Sequence, residues 1–250
     1  MSIDQIATIG DKIDIQLVQQ LEQAERGDLT TPVRTYKSSL FDSINEKEIE
    51  IAMPTENGRM VLFQIGLRCR LLFYTKKGLY SCEGMVHKRY KRESFFILAI
   101  LLTSEPAKFQ RREFYRIEQT LDIKYVPIPI EVVEKESTEA IFAEIQKPEY
   151  LEAIKSAITV DLSGGGIRFA GDEMLPAHTY LLVMLRLCNE KMDQIFYLVV
   201  QVIDSFRSSK NMGKVINRGK FIFKDLKDRE TIVRYIFEEE RKIRRKEMGV

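Results

Sequence analysis

The chain has no tryptophan, only two histidines and only three cysteines among its 250 residues. The cysteines (Cys69, Cys82 and Cys188) form no C-x-x-C pair, and two histidines supply few of the ligands that a zinc site needs. No serine or cysteine stands in a sequence context typical of a Ser-His-Asp or Cys-His nucleophile. The sequence therefore predicts neither a catalytic constellation nor a metal site nor a bound cofactor.

Long apolar runs and a large net charge are also missing. No apolar stretch approaches the roughly eighteen residues of a transmembrane helix. Residues 1–5 lack the apolar core of a signal peptide, so we expect a cytoplasmic protein without a transmembrane segment. The net charge is only +2, which argues against DNA or RNA as a partner held by bulk electrostatics.

Two short motifs carry most of the chemical information. Residues 110–116 contain three arginines (Arg111, Arg112 and Arg116), and residues 161–166 contain an aspartate, a serine and three glycines. Arginine suits phosphate, which it grips bidentately, and also the edge of guanine. A carboxylate accepts hydrogen bonds from N–H groups of a base. Together the motifs indicate a pocket for an anionic guanine nucleotide.

The spacing within each motif predicts how it is used. Arg112 and Arg116 lie four residues apart and should share a face in either a helix or a strand. Glycines in residues 164–166 permit positive φ and a close backbone approach to a ligand. The flanking segments 157–160 and 167–169 resemble strands, whereas a phosphate-binding loop of an NTPase would lead into a helix. Arg168 should lie on the same side of its strand as Gly166, as a candidate extra ligand contact.

The first hundred residues show the alternation of half-buried strands. Residues 18–33 are predicted as a short helix or loop, and residues 54–58 as a turn. Short strands at this spacing predict a small β-barrel domain over residues 1–103. Proline and small polar residues then mark an interdomain linker, residues 104–116, which contains the arginine motif. The predicted strands are 12–17, 36–44, 48–53, 67–73, 79–90 and 95–102.

A second β-rich domain is predicted over residues 110–250. Its first strand is expected at 117–126, and its last strands at 215–216 and 219–223. Residues 131–156 interrupt it with helix-compatible sequence, and residues 225–246 form a helix. The predicted apolar stripe of that helix is Ile232, Val233, Ile236, Phe237 and Ile243. The expected fold class is mainly β, with two small β-barrels in tandem and a C-terminal α-helix.

The two motifs together resemble the signature of the PilZ domain, the family of cyclic di-GMP receptors. Its pattern is R-x-x-x-R followed by [D/N]-x-S-x-x-G, and its fixed positions are filled by Arg112, Arg116, Asp161, Ser163 and Gly166. The N-terminal half resembles the first barrel of the flagellar-brake type of PilZ protein, in residues 9–12, 36–40 and 51–58. The resemblance covers residues 9–245. Two segments depart from the family pattern. Residues 18–33 are longer than expected for the first barrel, and the insertion at residues 131–156 is large for a PilZ barrel.

This resemblance implies a receptor that is not an enzyme. Cyclic di-GMP would bind in an interdomain cleft, draw the arginine linker around itself and close the two domains. The complex would then act on a partner, for flagellar-brake members the rotor and stator of the motor, with recruitment to the flagellar basal body. The implied ligand-binding residues are Arg111, Arg112, Arg116, Asp161, Ser163, Gly166 and Arg168. An arginine in the position of Arg111 accompanies binding of a stacked ligand dimer in the family.

Three alternatives use the same residues differently. A PilZ-like module could act as a protein–protein adaptor without binding nucleotide, although an adaptor has no need of the complete motif. A small barrel with arginines and aromatics could bind single-stranded nucleic acid, but the near-neutral charge argues against this. An enzyme acting on a nucleotide would need a metal-binding carboxylate pair or a base close to the arginines, and the sequence offers neither.

Overall fold

The computed structural model describes residues 2–27, 32–56, 59–208 and 213–248. Residues 57–58 of the predicted turn and residues 28–31 of the predicted helix or loop lie outside the described residues. The chain divides into two compact units, Met1–Arg111 and Arg112–Val250. Within the described ranges no helix is both long and apolar enough to cross a membrane.

The first unit is an antiparallel barrel whose ring contains six strands in the order β6-β1-β2-β3-β8-β7, closed by pairing of β6 with β7. A short strand, β9, pairs with β7 on the same edge as β8, and β4 and β5 form a separate hairpin. A 3-10 turn at Ile3–Gln5 precedes the barrel, and the helix α1 spans Val18–Glu25. The strands are β1 (Lys12–Leu17), β2 (Thr35–Asn45), β3 (Glu48–Ala52), β4 (Thr55–Glu56), β5 (Arg59–Met60), β6 (Arg68–Thr75), β7 (Gly78–Arg92), β8 (Phe95–Leu102) and β9 (Ala107–Lys108).

Alternating apolar residues fill this barrel, as the sequence pattern predicts. Ile13 and Ile15 of β1 are fully buried, as are Cys69 and Leu71 of β6. Cys82 on β7 is buried in the same core. Burial raises the pKa of both thiols, Cys69 and Cys82, to about 12, so both are protonated packing groups at neutral pH.

The start of the predicted linker belongs to the first barrel. Ala107 and Lys108 pair with Ser81 and Tyr80 of β7, and the amide of Phe109 donates to the carbonyl of Leu79 over 2.8 Å. These backbone bonds hold the chain on the barrel almost to the arginine motif. The segment without regular structure is therefore shorter than the 104–116 linker that composition predicts.

The second unit is also a six-stranded ring, in the order β12-β11-β14-β15-β16-β13 with β12 paired to β13. The short strand β10 pairs with the end of β12, on the same edge as β11. Its strands are β10 (Arg116–Glu118), β11 (Asp122–Ile128), β12 (Lys155–Ser163), β13 (Gly166–Gly171), β14 (Tyr180–Asn189), β15 (Met192–Arg207) and β16 (Val215–Ile222). Three short helices, α2 (Ile130–Val133), α3 (Thr138–Glu144) and α4 (Pro148–Leu151), interrupt the barrel, and α5 (Leu226–Glu247) follows it.

The observed strands of this unit differ from the predicted ones in two places. The single strand predicted at 117–126 is two strands, because the chain leaves the ladder between β10 and β11, where the Leu121 amide donates to the Thr159 hydroxyl. The two strands predicted at 215–223 are one continuous strand, β16. Gly219 lies inside this strand and does not interrupt it. Its lack of a side chain lets the strand pass close to Val200, which a Cβ at residue 219 would overlap.

The helices α2, α3 and α4 pack as a cap on the outside of the second barrel. Ile141 is fully buried, and Val132 and Val133 are buried with it against Val126 and Leu182 of the sheet. The hydroxyl of Ser137 accepts the amide of Ala140 over 3.2 Å at the start of α3. The 131–156 segment therefore has its own small core.

The helix α5 closes one side of the second barrel. It begins at Asp225, whose carboxylate accepts the Lys227 amide, and it buries Ile232, Tyr235 and Ile236. The predicted apolar stripe was wrong in part: the side chains of Phe237 and Ile243 are half exposed. A residue directly after Ile236 lies about 100° around the helix, so Phe237 falls outside the buried seam.

Neighbouring residues of α5 test this orientation. We expect Ile236→Ala to lower the free energy of unfolding of the second unit by about 2–4 kcal/mol, because it leaves a cavity in the core. The matched control Phe237→Ala should change it by no more than about 0.5 kcal/mol. Urea denaturation followed by circular dichroism measures both values, and equal losses would show that the helix packs on another face.

Candidate functional site

Strand pairing brings the two sequence motifs together on the second barrel. The short strand β10 pairs with the end of β12, which places Arg116 opposite Ser163 and Glu118 opposite Asp161. The hairpin from β12 to β13 places Gly166 opposite Ser163 on the other side. Residues more than forty positions apart in the sequence thus form one row across three strands.

A second row, one pleat further along, contains two arginines flanked by acidic residues. Its residues, from β10 to β15, are Glu118, Asp161, Arg168, Arg218 and Asp204. The row between the two contains core residues, so both charged rows point to the outside of the barrel. These core residues are Ile117, Leu162 and Ile167.

Each aspartate of this row follows an irregularity in its strand. The pairing register shifts between Thr159 and Asp161 in β12, and between Val202 and Asp204 in β15. A bulge of this kind inserts one residue and redirects the side chains that follow it. The two bulges therefore place a carboxylate at each end of the arginine pair.

The two arginines are directly opposite one another on adjacent strands. Like charges in this position destabilise a sheet unless they are compensated. Arg168 pairs with Asp161 at 2.6 Å, and Arg218 pairs with Asp204 at 3.2 Å. The Nε of Arg168 is buried and has no hydrogen-bond partner in the part of the chain that the structure describes. A buried unsatisfied donor on a guanidinium suits an anionic or carbonyl ligand.

Arg116 is the centre of this cluster of positive charge. Burial lowers its pKa, the Asp161 carboxylate opposes that change, and the charges of Arg112, Arg168 and Arg218 lower the pKa further. Four guanidiniums therefore interact electrostatically around one buried carboxylate. A concentration of charge that perturbs its own members is typical of a ligand site.

Phe114, in the middle of the arginine motif, attaches that motif to the glycine turn. A Cβ at Gly164 would lie 2.7 Å from its ring, and one at Gly165 would lie 2.9 Å from it. On the other side the Arg229 guanidinium of α5 is 4.6 Å from the ring centroid and pairs with Glu113 at 3.1 Å. Phe114 thus fixes the chain between Arg112 and Arg116 against the turn and the helix.

The glycines serve packing and not an unusual backbone conformation. Positive φ is found at other glycines, but at none of the residues 164–166. The positive φ that glycine permits is therefore not used in this turn. A Cβ at Gly164 would touch Phe114 and Val233, and one at Gly166 would overlap the Gly219 carbonyl oxygen. Only glycine lets these strands and the helix approach so closely.

Ser163 and Arg111 have partners within their own units. The Ser163 hydroxyl is buried and donates to the Gly166 carbonyl over 3.1 Å, which closes the turn. Arg111 belongs to the first unit, where it donates to the Tyr74 hydroxyl over 2.9 Å. Tyr74 in turn donates to Asp14 over 2.6 Å. The second unit thus brings together every predicted ligand residue except Arg111.

Sequence reasoning did not identify two contributors to this site. Arg218 joins it because β16 is the neighbour of β13, and strand order across a barrel has no local sequence signal. Phe114 stands between the predicted arginines, so its position was visible but its packing was not. In the described ranges there is no cluster of three or more His, Cys, Asp or Glu side chains that could hold a metal.

Comparison with known proteins identifies the first unit. Residues 8–101 match the model of the PilZNR family, described as "Flagellar protein YcgR". This match covers most of the first unit, Met1–Arg111. The resemblance to flagellar-brake PilZ proteins that the motifs predict is confirmed. No curated protein matches the sequence.

Solved structures extend the likeness to both barrels. Bacillus subtilis inhibitor of motility (MotI/DgrA) is 16% identical with a TM-score of 0.69, over 94% of this chain and 98% of that one. Escherichia coli YcgR in complex with c-di-GMP is 11% identical with a TM-score of 0.49, over 96% of this chain and 88% of that one. The likeness to MotI/DgrA confirms the predicted fold of two tandem β-barrels and a C-terminal helix.

The glycine at the end of the turn gives a direct test of the packing. We expect Gly166→Ala to destabilise the second unit by about 1–3 kcal/mol, because its Cβ would overlap the backbone of β16. The control is Gly171→Ala at the other end of β13, where the nearest atom would be 3.7 Å away. Thermal unfolding of the two variants measures the difference, and equal stability would contradict the assigned role.

Proposed function

We propose that the chain is a receptor for cyclic di-GMP. The observation that supports this most strongly is the cluster in which four guanidiniums, Arg112, Arg116, Arg168 and Arg218, interact around the buried Asp161. Together with Asp204, which pairs with Arg218, the cluster has two more positive charges than negative ones, and it contains the complete R-x-x-x-R and D-x-S-x-x-G pattern. The matching family model is described as "Flagellar protein YcgR". The structure of Escherichia coli YcgR has been solved in complex with c-di-GMP.

The chemistry of the cluster fits the two parts of this ligand. Guanidinium forks donate paired hydrogen bonds to phosphate oxygens, and they contact the O6 and N7 acceptors of guanine. The Asp161 carboxylate can accept N–H groups of a guanine base, once it shares or exchanges its bond to Arg168. Asp161 and Asp204 supply the negative charge that offsets the repulsion between Arg168 and Arg218. The ligand phosphates would take over part of this role.

Single substitutions test the site. We expect Arg112→Ala, Arg116→Ala, Asp161→Ala and Arg218→Ala each to weaken cyclic di-GMP binding by about 1.5–3 kcal/mol, the scale for hydrogen bonds to charged groups. Isothermal titration calorimetry is suitable, since the chain has no tryptophan to report binding by fluorescence. GMP and cyclic di-AMP serve as ligand controls, and Asp161→Ala should reduce the preference for guanine.

Arg186→Ala is the matched protein control. Arg186 is an exposed arginine of the same barrel that pairs with Asp193 at 2.5 Å on the β14–β15 hairpin, and its loss should leave affinity unchanged. If the four site variants bind as tightly as the unmodified chain, the site assignment is wrong. If the unmodified chain binds no cyclic di-GMP at all, the adaptor interpretation replaces the receptor.

The output we propose is regulation of a partner, with the flagellar motor at the basal body as the target. Ligand that bound to the arginine segment, residues 104–116, and to the Asp161 turn would bring the two units into a closed arrangement. It can do so only to the extent that it binds that arrangement more tightly. Small-angle X-ray scattering with and without ligand measures this change. The variant Arg111→Ala addresses a separate point, whether the protein holds a second, stacked ligand.

Swimming behaviour tests the motor as the target. Expression of the chain in a flagellated bacterium with elevated cyclic di-GMP should reduce the diameter of swim halos. The Arg112→Ala/Arg116→Ala double variant should restore the diameter, because it cannot bind the ligand. Immunoblots confirm equal protein levels. If the double variant inhibits swimming equally, the effect on motility does not depend on ligand binding, and the proposed output is wrong.

A further inference from the structure

The hairpin between β7 and β8 carries exposed aromatic side chains at its tip. Phe95 is 56% exposed and Phe96 is 42% exposed. The last residue of β8 that pairs with β3 is Ile97, opposite Ala52, so both phenylalanines lie beyond the end of that ladder. Exposed neighbouring rings are unusual on a protein surface and indicate an interaction site.

The two rings point to opposite faces of the hairpin. Phe96 pairs with Lys91 and lies on the same side as the core residue Leu98. Phe95 pairs with Arg92 on the other side, where its ring centroid is 5.5 Å from that of Phe41. The tip is therefore apolar on both faces, like a wedge.

Basic residues surround both rings. The Lys91 ammonium is 5.6 Å from the Phe96 centroid, and the Arg92 guanidinium is 5.6 Å from the Phe41 centroid. Lys88 and Arg89 precede them on β7, and Glu93 is the acidic residue of the turn. Residues 88–96 thus carry four positive charges and one negative charge, well above the average for this nearly neutral chain.

An ion pair between a buried carboxylate and an exposed arginine holds this wedge in place. Glu50 of β3 is fully buried, accepts the Tyr90 hydroxyl and pairs with Arg92 at 2.7 Å. These contacts join the base of the hairpin to the neighbouring strand of the barrel. The exposed rings are therefore presented by a rigid element, so that little conformational entropy would be lost on binding.

We propose that this hairpin inserts into the interface of an anionic lipid bilayer. Phenylalanine rings bury apolar area at the boundary between headgroups and acyl chains, and lysine and arginine remain with the anionic headgroups. A bilayer surrounds both faces of a wedge, whereas a protein partner that docked on one face would leave the other ring exposed. The two-sided arrangement favours a lipid surface over an acidic protein.

A single-tryptophan reporter gives the most direct test, since the chain has none of its own. In Phe96→Trp, vesicles of phosphatidylglycerol and phosphatidylcholine should shift the fluorescence to the blue, and nitroxide-labelled lipid should quench it. The control Ile65→Trp replaces another exposed apolar residue of the same unit and should show neither effect. No shift in Phe96→Trp, or an equal shift in both variants, would overturn the proposal.

Vesicle sedimentation separates the apolar and electrostatic contributions. The variant Phe95→Ser/Phe96→Ser should bind anionic vesicles at least about tenfold more weakly, and Lys91→Gln about fivefold more weakly at low salt. Leu62→Ser/Ile65→Ser is the matched control and should bind as the unmodified chain does. Unchanged binding by the hairpin variants, or binding to poly-glutamate but not to vesicles, would overturn the lipid assignment. Titration with cyclic di-GMP is independent of this result, so either proposal can fail alone.

Discussion

The pairing of β10 with β12 is the contact on which the candidate site depends. It is only three residues long, yet it determines that Arg116 lies beside Ser163 and Glu118 beside Asp161. Phe114 secures the preceding residues by packing on the glycine turn. The site is therefore a consequence of β-sheet register, supported by one aromatic side chain and three residues without a Cβ.

Register also explains how like charges are tolerated there. Arg168 and Arg218 face one another across two strands, an arrangement that a stable sheet avoids unless something compensates it. The bulges in β12 and β15 place Asp161 and Asp204 to do this. Such positively charged sites are held at some cost to stability, and they are common where a protein binds an anion.

The sequence was informative where side-chain pattern alone decides the structure. Alternation in β1 and β6 predicted the first barrel, and the spacing of Asp161, Ser163 and Gly166 predicted the turn. It was misleading where packing decides, because Phe237 was expected in the apolar stripe of α5 and lies outside its buried seam. Arg218 could not be found, because its proximity to Arg168 depends on which strands are neighbours, and this is set by the whole barrel.

Both rings are closed, but each carries one short extra strand, β9 or β10. Among the described residues each of these short strands pairs with one other strand, and unpaired strand edges are where sheets of different molecules join and aggregate. Long charged side chains on a short edge strand oppose this joining. Lys108 on β9, and Arg116 and Glu118 on β10, occupy these positions. The arginine that we assign to ligand binding would thereby also help to keep the protein monodisperse when no ligand is bound.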